Sequence, residues 1–456
     1  MGVLWKIVVS CGVVILLISY QINKLITPGL APKLNETWWG DGNFSKIDET
    51  IYTFRINVSN EVLQDLKYRL NHARTFTPPL EGTQQQYGMN TNLLKEIVLF
   101  WKTKYDWKER EKIFNSYPQY TTNIQGINIH FIHVKPESPN KKVMPLLLLH
   151  GWPGSIREFF QLIPLLTTPS PDKNFVFEVI VPSIPGYGFS QAAVRPGLGA
   201  PQMAVIFKNL MKRLGFEKYY VQGGDFGAII LHQMSVLYPE SVLGFHSNMC
   251  VVYTPLAVLK TLVGAVYPTW FTRQDHVERV YPLTHYFSFK LEESGYFHVQ
   301  TTKPDTLGVS LRDSPVGLAA YILEKFVTGT NFTYKSREDG GLRDHYNYAD
   351  LLDNVMVYWI TGSMPTAMRL YAETFSKKNY LTLGVSRMPV QVPSACVRFR
   401  YDLYASDGML PELYPNLLHL ADYSGGHFAA FQQPDLFAKD IFTAIEKFEK
   451  FHGHSS

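Results

Sequence analysis

The stretch YYVQGGDFGAII, from Tyr219 to Ile230, decides how this chain folds. A run of β-forming residues ends in Gly223-Gly224-Asp225-Phe226-Gly227, and an apolar segment follows it. The pattern is typical of a nucleophile elbow, in which a strand turns sharply into a helix and places a reactive side chain at the turn. Serine usually occupies that position, and aspartate occupies it here. The stretch therefore predicts a strand and a helix that meet at Asp225.

Further strand and helix patterns alternate on both sides of the elbow. The segments MPLLLLHGWPG at 144–154 and FEVIVPSIPGYGFS at 177–190 are apolar runs that stop at glycine and proline. Such continuous runs are typical of strands that are buried on both faces. Helical patterns separate the strands, in SIREFFQLIPLL and PQMAVIFKNLMKRLGF. The alternation predicts an α/β fold with a mostly parallel central sheet, and in such sheets ligands bind at the carboxyl ends of the strands.

Three groups that can carry out nucleophilic catalysis follow one another along the chain. Asp225 in the elbow comes first, a carboxylate at Asp402 or Asp407 comes second, and His427 in SGGHFAAF comes third. Nucleophile, acid and histidine is the order that the α/β-hydrolase fold uses. The order predicts that fold and a catalytic triad, and it leaves the choice between the two later aspartates open.

The loop HGWPG, His150–Gly154, follows the strand that precedes the first main helix. In the α/β-hydrolase fold this loop supplies one backbone N–H of the oxyanion hole, and the residue after the nucleophile supplies another. The sequence therefore predicts Trp152 and Phe226 as the two donors. The glycines of the loop would let its backbone approach the site closely.

The remaining segments predict the domain organisation. Helical spacing in SNEVLQDLKYRLNHARTF and TNLLKEIVLFWKTKYDW precedes the alternating section. From about 250 to 385 the alternation stops, and the segment is rich in tyrosine, phenylalanine and proline. The predicted divisions are a membrane anchor at 1–22, an N-terminal cap or wrap at 23–130, the first half of the α/β core at 131–255, a helical lid at 256–385 and the second half of the core at 386–456.

The predicted anchor contains the stretch VLWKIVVSCGVVILLISYQI at 3–22, which is nearly all apolar. Its length approaches the roughly 20 residues that a membrane-spanning helix needs. No small-residue cleavage site follows it, so an uncleaved anchor is favoured over a cleaved signal peptide. Lys6 and Lys24 flank both ends, and the distribution of positive charge therefore does not decide the orientation.

The composition excludes some classes of function and partner. The formal net charge of +4 is spread over 456 residues without a basic block, so no nucleic-acid-binding surface is expected. The three cysteines lie far apart and lack the spacing of metal ligands, which indicates core thiols or a reducing compartment and not a disulfide framework. Four glycosylation sequons are informative only if the catalytic part faces a lumen. The cysteines are Cys11, Cys250 and Cys396, and the sequons begin at Asn35, Asn43, Asn57 and Asn331.

From the predicted anchor to GGHFAAF, the chain resembles the microsomal and juvenile-hormone-type epoxide hydrolases. The most specific stretches are HGWPGS, GGDFG, ESGYFHVQTTKPDTLGVSLRDSPVGLAAYILEKF and EDGG. The resemblance implies Asp225 as the nucleophile and His427 as the base. It also implies two lid tyrosines as proton donors, Tyr296 in ESGYFHVQ and Tyr371 in MRLYAETF.

The triad acid is where the chain departs from this family. The family usually has glutamate after the VPxxCxRF strand, whereas this chain has Asp402 in CVRFRYDLYASDG, at the matching distance from Cys396. Asp402 is the predicted acid and Asp407 the second choice. Because aspartate is one methylene shorter than glutamate, the contact to His427 is expected to need a small backbone shift.

A carboxylate nucleophile suits an epoxide, which has no carbonyl for a serine to attack. The carboxylate is ionised at neutral pH and can displace the ring oxygen at a strained carbon. The resemblance implies an epoxide hydrolase that converts small apolar epoxides to vicinal diols through an ester on Asp225, which a water activated by His427 then hydrolyses. It implies no metal and no other cofactor, and it places the catalytic part on the cytosolic face of the endoplasmic reticulum membrane.

Two other functions fit part of the pattern. A haloalkane dehalogenase shares the aspartate nucleophile, but it needs halide-binding donors near it, and Phe226 offers no side-chain N–H. A non-catalytic protein that binds a hydrophobic ligand could share the same fold. The presence of Asp225, His427 and a later carboxylate argues against that second alternative.

Overall fold

A computed structural model describes residues 29–42, 48–138 and 140–454. The predicted membrane anchor at 1–22 and the cysteine Cys11 lie outside these residues. Within the described ranges, no helix has both the length and the apolar character that crossing a bilayer requires.

Nine strands of the described residues form one mixed sheet. They are β1 (Tyr52–Phe54), β2 (Gln119–Ile124), β3 (Ile127–Val134), β4 (Lys142–Leu149), β5 (Phe175–Pro182), β6 (Tyr219–Gly223), β7 (Val242–Ser247), β8 (Ser394–Phe399) and β9 (Leu417–Tyr423). The strand order across the sheet is β1-β2-β3-β5-β4-β6-β7-β8-β9. The pairs from β1 to β5 are antiparallel, and the pairs from β5 through β4 to β9 are parallel. The predicted α/β fold with a mostly parallel sheet is confirmed.

Helices cover the sheet and form the lid. The α-helices are α1 (Asn60–Asn71), α2 (Thr91–Thr103), α3 (Trp107–Phe114), α4 (Leu162–Thr167), α5 (Ala200–Arg213), α6 (Asp225–Leu237), α7 (Pro255–Val263), α8 (Leu283–Glu293), α9 (Gly295–Thr302), α10 (Pro304–Asp313), α11 (Pro315–Thr330), α12 (Tyr348–Thr361), α13 (Met364–Thr374), α14 (Ala429–Gln432) and α15 (Pro434–His454). Short 3₁₀ helices cover Ile156–Phe159, Pro268–Trp270, Gln274–Arg279, Phe332–Ser336, Leu342–Asp344, Val385–Arg387 and Leu410–Glu412, and a π-helix covers Lys377–Leu383.

The centre of the sheet explains where the site forms. In β4, Leu146–Leu149 are fully buried, because β5 and β6 flank the strand and helices cover both faces. β6 lies beside β4 in parallel and ends at Gly223, one residue before the turn into α6. The carboxyl ends of these two strands therefore bring the loop after β4 next to the elbow at Asp225, as expected for a parallel sheet.

The lid and the N-terminal segment are inserted around this core. Helices α7 to α13 lie between β7 and β8 along the chain. The N-terminal segment contributes α1 to α3 and also the edge strands β1 and β2, so it shares the sheet with the core. The interval from α7 to α13 carries the tyrosines that the sequence singles out.

The expectation of unpaired cysteines is wrong. Cys250, which follows β7, forms a disulfide with Cys396 in β8, and their Cα atoms are 5.7 Å apart. Both residues are buried. The two cysteines are separated by 146 residues of sequence, and they meet because β7 and β8 are adjacent parallel strands on either side of the whole lid insertion. Chain spacing alone does not reveal that adjacency.

Candidate active site

The elbow holds Asp225 in a backbone conformation that few residues adopt. Its φ is +47°, in the left-handed region, and such a conformation costs roughly 1–3 kcal/mol. Glycine is required on both sides. A Cβ at Gly223 would lie 2.5 Å from the carbonyl carbon of Gly227, and a Cβ at Gly227 would lie 2.1 Å from the carbonyl oxygen of Leu149. The flanking glycines therefore let the strand, the helix and β4 approach closely enough to present the Asp225 side chain.

The loop after β4 contacts the nucleophile directly. The backbone N–H of Trp152 donates a hydrogen bond to Oδ1 of Asp225 at 2.8 Å. A Cβ at Gly151 would lie 2.3 Å from the Cβ of Asp225, so only glycine allows this approach. The N–H of Phe226 also acts on the carboxylate and lowers its pKa. Both predicted oxyanion donors thus face the same side chain.

A lid helix fixes the shape of this loop. The Asn354 side chain in α12 donates to the carbonyl of Pro153 at 2.7 Å and accepts from the Ser155 hydroxyl at 2.7 Å. One turn later, the Tyr358 hydroxyl donates to the carbonyl of Gly154 at 2.7 Å. These three hydrogen bonds, which we call the α12 clamp, hold the loop that carries the Trp152 N–H. Sequence reasoning did not find the clamp.

His427 lies between two carboxylates. Its Nε2 is 3.6 Å from Oδ2 of Asp225, and its Nδ1 is 2.9 Å from Oδ1 of Asp402. The Asp402 side chain is only 4% exposed. The His427 backbone N–H donates to the carbonyl of Gly329 in α11 at 2.7 Å, so the lid also helps to place the histidine.

The structure separates the two aspartates that the sequence left as alternatives. Asp402 contacts His427, whereas Asp407 accepts from Arg398 at 3.0 Å and from the Tyr404 hydroxyl at 3.4 Å. The buried Arg398 guanidinium thus pairs with Asp407 as well as with Asp422, to which it donates at 2.8 and 2.9 Å. The geometry therefore brings Asp402, and not Asp407, into the triad arrangement.

The charges at the centre of the site act on one another. Burial raises the pKa of Asp225 above its ordinary value, while His427 and the N–H groups of Trp152 and Phe226 oppose that rise. Burial alone would lower the pKa of His427, but the carboxylates of Asp402 and Asp225 raise it to about 10. In this state His427 is an imidazolium held between two carboxylates.

The two predicted lid tyrosines pack against the residues that supply the predicted oxyanion donors. The Tyr296 ring in α9 stacks on Trp152 with centroids 5.2 Å apart, and the Tyr371 ring in α13 lies edge-on to Trp152 at 5.9 Å and to Phe226 at 4.5 Å. The two phenol rings are 6.2 Å apart. Neither hydroxyl has a hydrogen-bond partner among the described residues. Burial raises the pKa of both phenols well above the ordinary value, and the Asp225 carboxylate adds to this, so both are protonated at neutral pH.

Sequence reasoning also missed Glu158, which lies in the 3₁₀ helix Ile156–Phe159. It lines the same cavity as Asp225 and His427. The only signal in the sequence is its place four residues after Gly154, inside a segment whose helical pattern makes a charged residue look like part of a solvated face. Among the described residues, no group of three or more His, Cys, Asp or Glu side chains could hold a metal ion.

Family models and curated relatives match most of the chain. Residues 51–159 match the family model described as epoxide hydrolase N terminus, and residues 144–434 match the model of the alpha/beta hydrolase fold. Juvenile hormone epoxide hydrolase 2 of Ctenocephalides felis is 52% identical over 99% of this chain and 96% of its own length. Epoxide hydrolase 1 of Oryctolagus cuniculus is 43% identical over 90% of this chain and 92% of its own length.

Solved structures give the same result. The crystal structure of juvenile hormone epoxide hydrolase from the silkworm Bombyx mori superimposes with a TM-score of 0.89 at 48% identity, and the match covers 91% of this chain and 99% of that one. The structure of Aspergillus niger epoxide hydrolase superimposes with a TM-score of 0.70 at 27% identity, over 88% of this chain and 97% of that one.

Proposed function

The chain belongs to the family of juvenile-hormone and microsomal epoxide hydrolases, and from that membership we propose that it opens apolar epoxides through a covalent ester on Asp225. One observation carries the proposal. The Asp225 carboxylate contacts a backbone N–H on one oxygen and faces a histidine on the other, and two protonated phenols lie on the lid side of the same site. This arrangement serves both formation and cleavage of an ester.

In the first step, Asp225 attacks a ring carbon of the epoxide. Oδ1 is held by the Trp152 N–H, which leaves Oδ2 as the attacking oxygen. The hydroxyls of Tyr296 and Tyr371 bind the ring oxygen, and one of them gives it a proton as the carbon–oxygen bond breaks. Their raised pKa keeps the phenols protonated until the developing alkoxide takes the proton.

In the second step, water hydrolyses the ester at the Asp225 carbonyl carbon. The carbonyl oxygen already lies against the N–H groups of Trp152 and Phe226, which stabilise the oxyanion that forms there. Ester formation removes the negative charge of Asp225, which is one of the charges that raises the pKa of His427. The histidine can then give its proton, through solvent, to the phenolate that the first step leaves, and act as the base, with Asp402 fixing its orientation.

The substrate class follows from the lid and from the relatives. Rings of Tyr296, Tyr371, Phe297 and Trp152 pack together around the site, which favours a bulky apolar epoxide. Relatives at 43% to 53% identity are named juvenile hormone epoxide hydrolases, from two other insects as well as Ctenocephalides felis. We therefore propose terpenoid epoxide esters of the juvenile hormone type as the first substrates to test, beside aryl epoxides.

We also propose that the protein acts at the endoplasmic reticulum membrane, anchored through residues 1–22, with its catalytic part in the cytosol. The apolar stretch at 3–22 supports an anchor, and helix α7 supports a second contact with lipid. α7 exposes Val258, Leu259 and Leu262, while Lys260 turns toward Glu412 of the core. Flotation of the full chain and of a chain that lacks residues 1–22 on phospholipid vesicles tests the anchor.

The side of the membrane needs its own test, because the Cys250–Cys396 disulfide is more usual in an oxidising compartment. A cytosolic catalytic part predicts that the sequons remain without glycans. Asn35 and Asn57 are exposed and would accept a glycan in a lumen. Glycans on either residue in protein from insect cells would contradict the cytosolic orientation.

The ester itself is tested by a single turnover in ¹⁸O-labelled water with an aryl epoxide. The attacking oxygen of Asp225 leaves in the diol, and the oxygen of water enters the carboxylate. We expect unlabelled diol in the first turnover and label in the peptide that contains Asp225, as measured by mass spectrometry. Label in the first diol would contradict the ester, and a protein that releases no diol would be a binding protein.

A further inference from the structure

A small cavity borders the nucleophile. Asp225, His427, Glu158, Gln222 and Asn248 line it, together with the backbone of the loop after β4. It leaves about 10 Å³ for the centre of a water molecule. A single bound water needs roughly 10–15 Å³ measured in this way, and it needs two to four polar partners. The cavity therefore has the size of one water site, and its walls carry the polar groups.

Gln222 supplies one of these groups. Its side-chain N–H donates to Oδ1 of Asn248 at 3.0 Å, and the Asn248 amide in turn donates to the His427 carbonyl at 3.4 Å. This chain of hydrogen bonds fixes which way the Gln222 amide points. Gln222 is 1% exposed, and its Oε1 has no hydrogen-bond partner in the part of the chain that the structure describes. A buried acceptor left without a donor costs about 1–3 kcal/mol, so we expect a hydrogen-bond donor for this oxygen within the cavity.

Glu158 supplies a second group. Its carboxyl lies close to Gly154 in the oxyanion loop, where a Cβ would be only 2.6 Å from Oε2. No side chain or backbone group of the described residues forms a hydrogen bond with it. Burial raises the pKa of Glu158 to about 7 and Asp225 adds to the rise, although His427 opposes it. The carboxyl can therefore donate one hydrogen bond and accept another near neutral pH.

We propose that this cavity is the binding site of the hydrolytic water, with Glu158 and Gln222 as the residues that position it and His427 as its base. The inference rests on the ester mechanism proposed above. The water accepts a hydrogen bond from Glu158 and donates one to Gln222 Oε1, which leaves its second hydrogen for His427 Nε2. The site thereby sets the direction from which the water oxygen approaches the ester.

The step balances without any further reactant. The water oxygen forms a bond to Cγ of Asp225, and the water proton passes to Nε2 of His427. The tetrahedral intermediate then breaks the bond between Cγ and the ester oxygen. That oxygen leaves in the diol and takes the proton from His427. The Asp225 carboxylic acid that remains then gives its own proton to the neutral histidine, which regenerates the Asp225 carboxylate and the His427 imidazolium. Glu158 exchanges no net proton.

Rapid-quench single turnovers, with mass spectrometry of the Asp225 peptide, separate the two steps. Glu158→Met and Gln222→Met remove the polar atoms with little change in volume. We expect the rate of ester formation to stay within about threefold, while ester hydrolysis slows on the order of 100-fold for Glu158→Met and about tenfold for Gln222→Met. Glu158→Gln keeps a donor and an acceptor, and it should retain most of the hydrolysis rate.

Glu178→Gln serves as the matched control, because Glu178 lies in β5 against His133, away from the cavity. It should leave both steps unchanged. If the ester decays at the wild-type rate in both methionine variants, or if both steps slow equally, the water site is wrong while the ester mechanism stands. If Glu158→Met does not fold, Gln222→Met and Glu158→Gln decide alone. If wild-type protein never carries the ester, the mechanism itself fails.

Discussion

The core half and the lid half of the active site are held together in different ways. In the core, Asp225, His427 and Asp402 are joined by contacts of 2.9 and 3.6 Å, and a backbone N–H fixes the nucleophile at 2.8 Å. In the lid, Tyr296 and Tyr371 are placed by ring packing, and their hydroxyls have no hydrogen-bond partner within the described chain.

We propose that this difference assigns the two halves to different steps of the ester mechanism. Ester hydrolysis develops charge on atoms of the protein itself, so the core must hold donors and charges at fixed positions beforehand. Ester formation develops charge on the substrate oxygen, so the phenols must be free to bind a group that arrives from outside. Core variants should therefore trap the ester, whereas phenol variants should prevent it from forming.

The largest expected effect is the loss of the one group that both halves need. Asp225→Asn replaces the carboxylate by a neutral amide, and an amide oxygen is a poor nucleophile at an epoxide carbon. We expect diol formation to fall by on the order of 10⁴-fold or more, with no adduct on the Asp225 peptide. Diol release by a variant whose residue 225 stays an amide, as checked by intact mass, would refute the division into two steps.

Asp402→Asn should impair only ester hydrolysis, the step assigned to the core half. The amide cannot stabilise the imidazolium of His427 or hold its tautomer, so we expect ester hydrolysis to slow on the order of 10³-fold while the ester still forms. Asp407→Asn is the matched control, since Asp407 pairs with Arg398 and does not contact His427. Adduct should accumulate in the first variant and not in the second, as measured by rapid quench. If adduct accumulated in Asp407→Asn and not in Asp402→Asn, Asp407 would be the triad acid.

The double variant Tyr296→Phe and Tyr371→Phe should impair only ester formation, the step assigned to the lid half. Without the phenols no proton donor meets the epoxide oxygen, and we expect ester formation to slow by about 10²–10³-fold. Because neither hydroxyl bonds to the described protein, the melting temperature should change by less than about 3 °C. Unchanged rates of ester formation would remove the phenols from the mechanism, and a large loss of stability would show that the hydroxyls support the fold.

The parts of the site that the sequence predicts are those set by short stretches of chain. The elbow glycines, the HGWPG loop and the strand that precedes Asp402 each combine a local pattern with a local geometry. The parts that the sequence does not predict depend on where distant segments meet. The Cys250–Cys396 disulfide requires that β7 and β8 be neighbours across the lid insertion.

Glu158 shows the same limit at the scale of one side chain. A glutamate in the first turn of a helical pattern is most often solvated, and only the packing of the core around the loop makes it a cavity group. The choice between Asp402 and Asp407 has a similar origin. Both aspartates follow β8. The buried Arg398 that pairs with Asp407 lies in β8, between Cys396 of the disulfide and Asp402 along the chain.

The smallest expected effect comes from the α12 clamp, which is an exception to the division of the site between core and lid. Asn354 belongs to a lid helix, yet its hydrogen bonds hold the core loop that carries the Trp152 N–H. Asn354→Leu leaves the carbonyl of Pro153 without a donor and the hydrogen of the Ser155 hydroxyl without its acceptor, at a cost of about 1–3 kcal/mol.

Substitution of this lid residue should therefore impair ester hydrolysis, the step assigned to the core. We expect Asn354→Leu to slow ester hydrolysis about tenfold, because the Trp152 donor is less well fixed, and to leave ester formation within about threefold. Thr361→Val, one turn beyond Tyr358 in the same helix, removes a hydroxyl that bonds to Val357 and Ser363 and does not reach the loop. Rapid-quench rates of the two steps, measured for both variants, test this prediction. If Asn354→Leu slowed only ester formation, α12 would act in the same step as the phenols. The shape of the loop would then depend on the core alone.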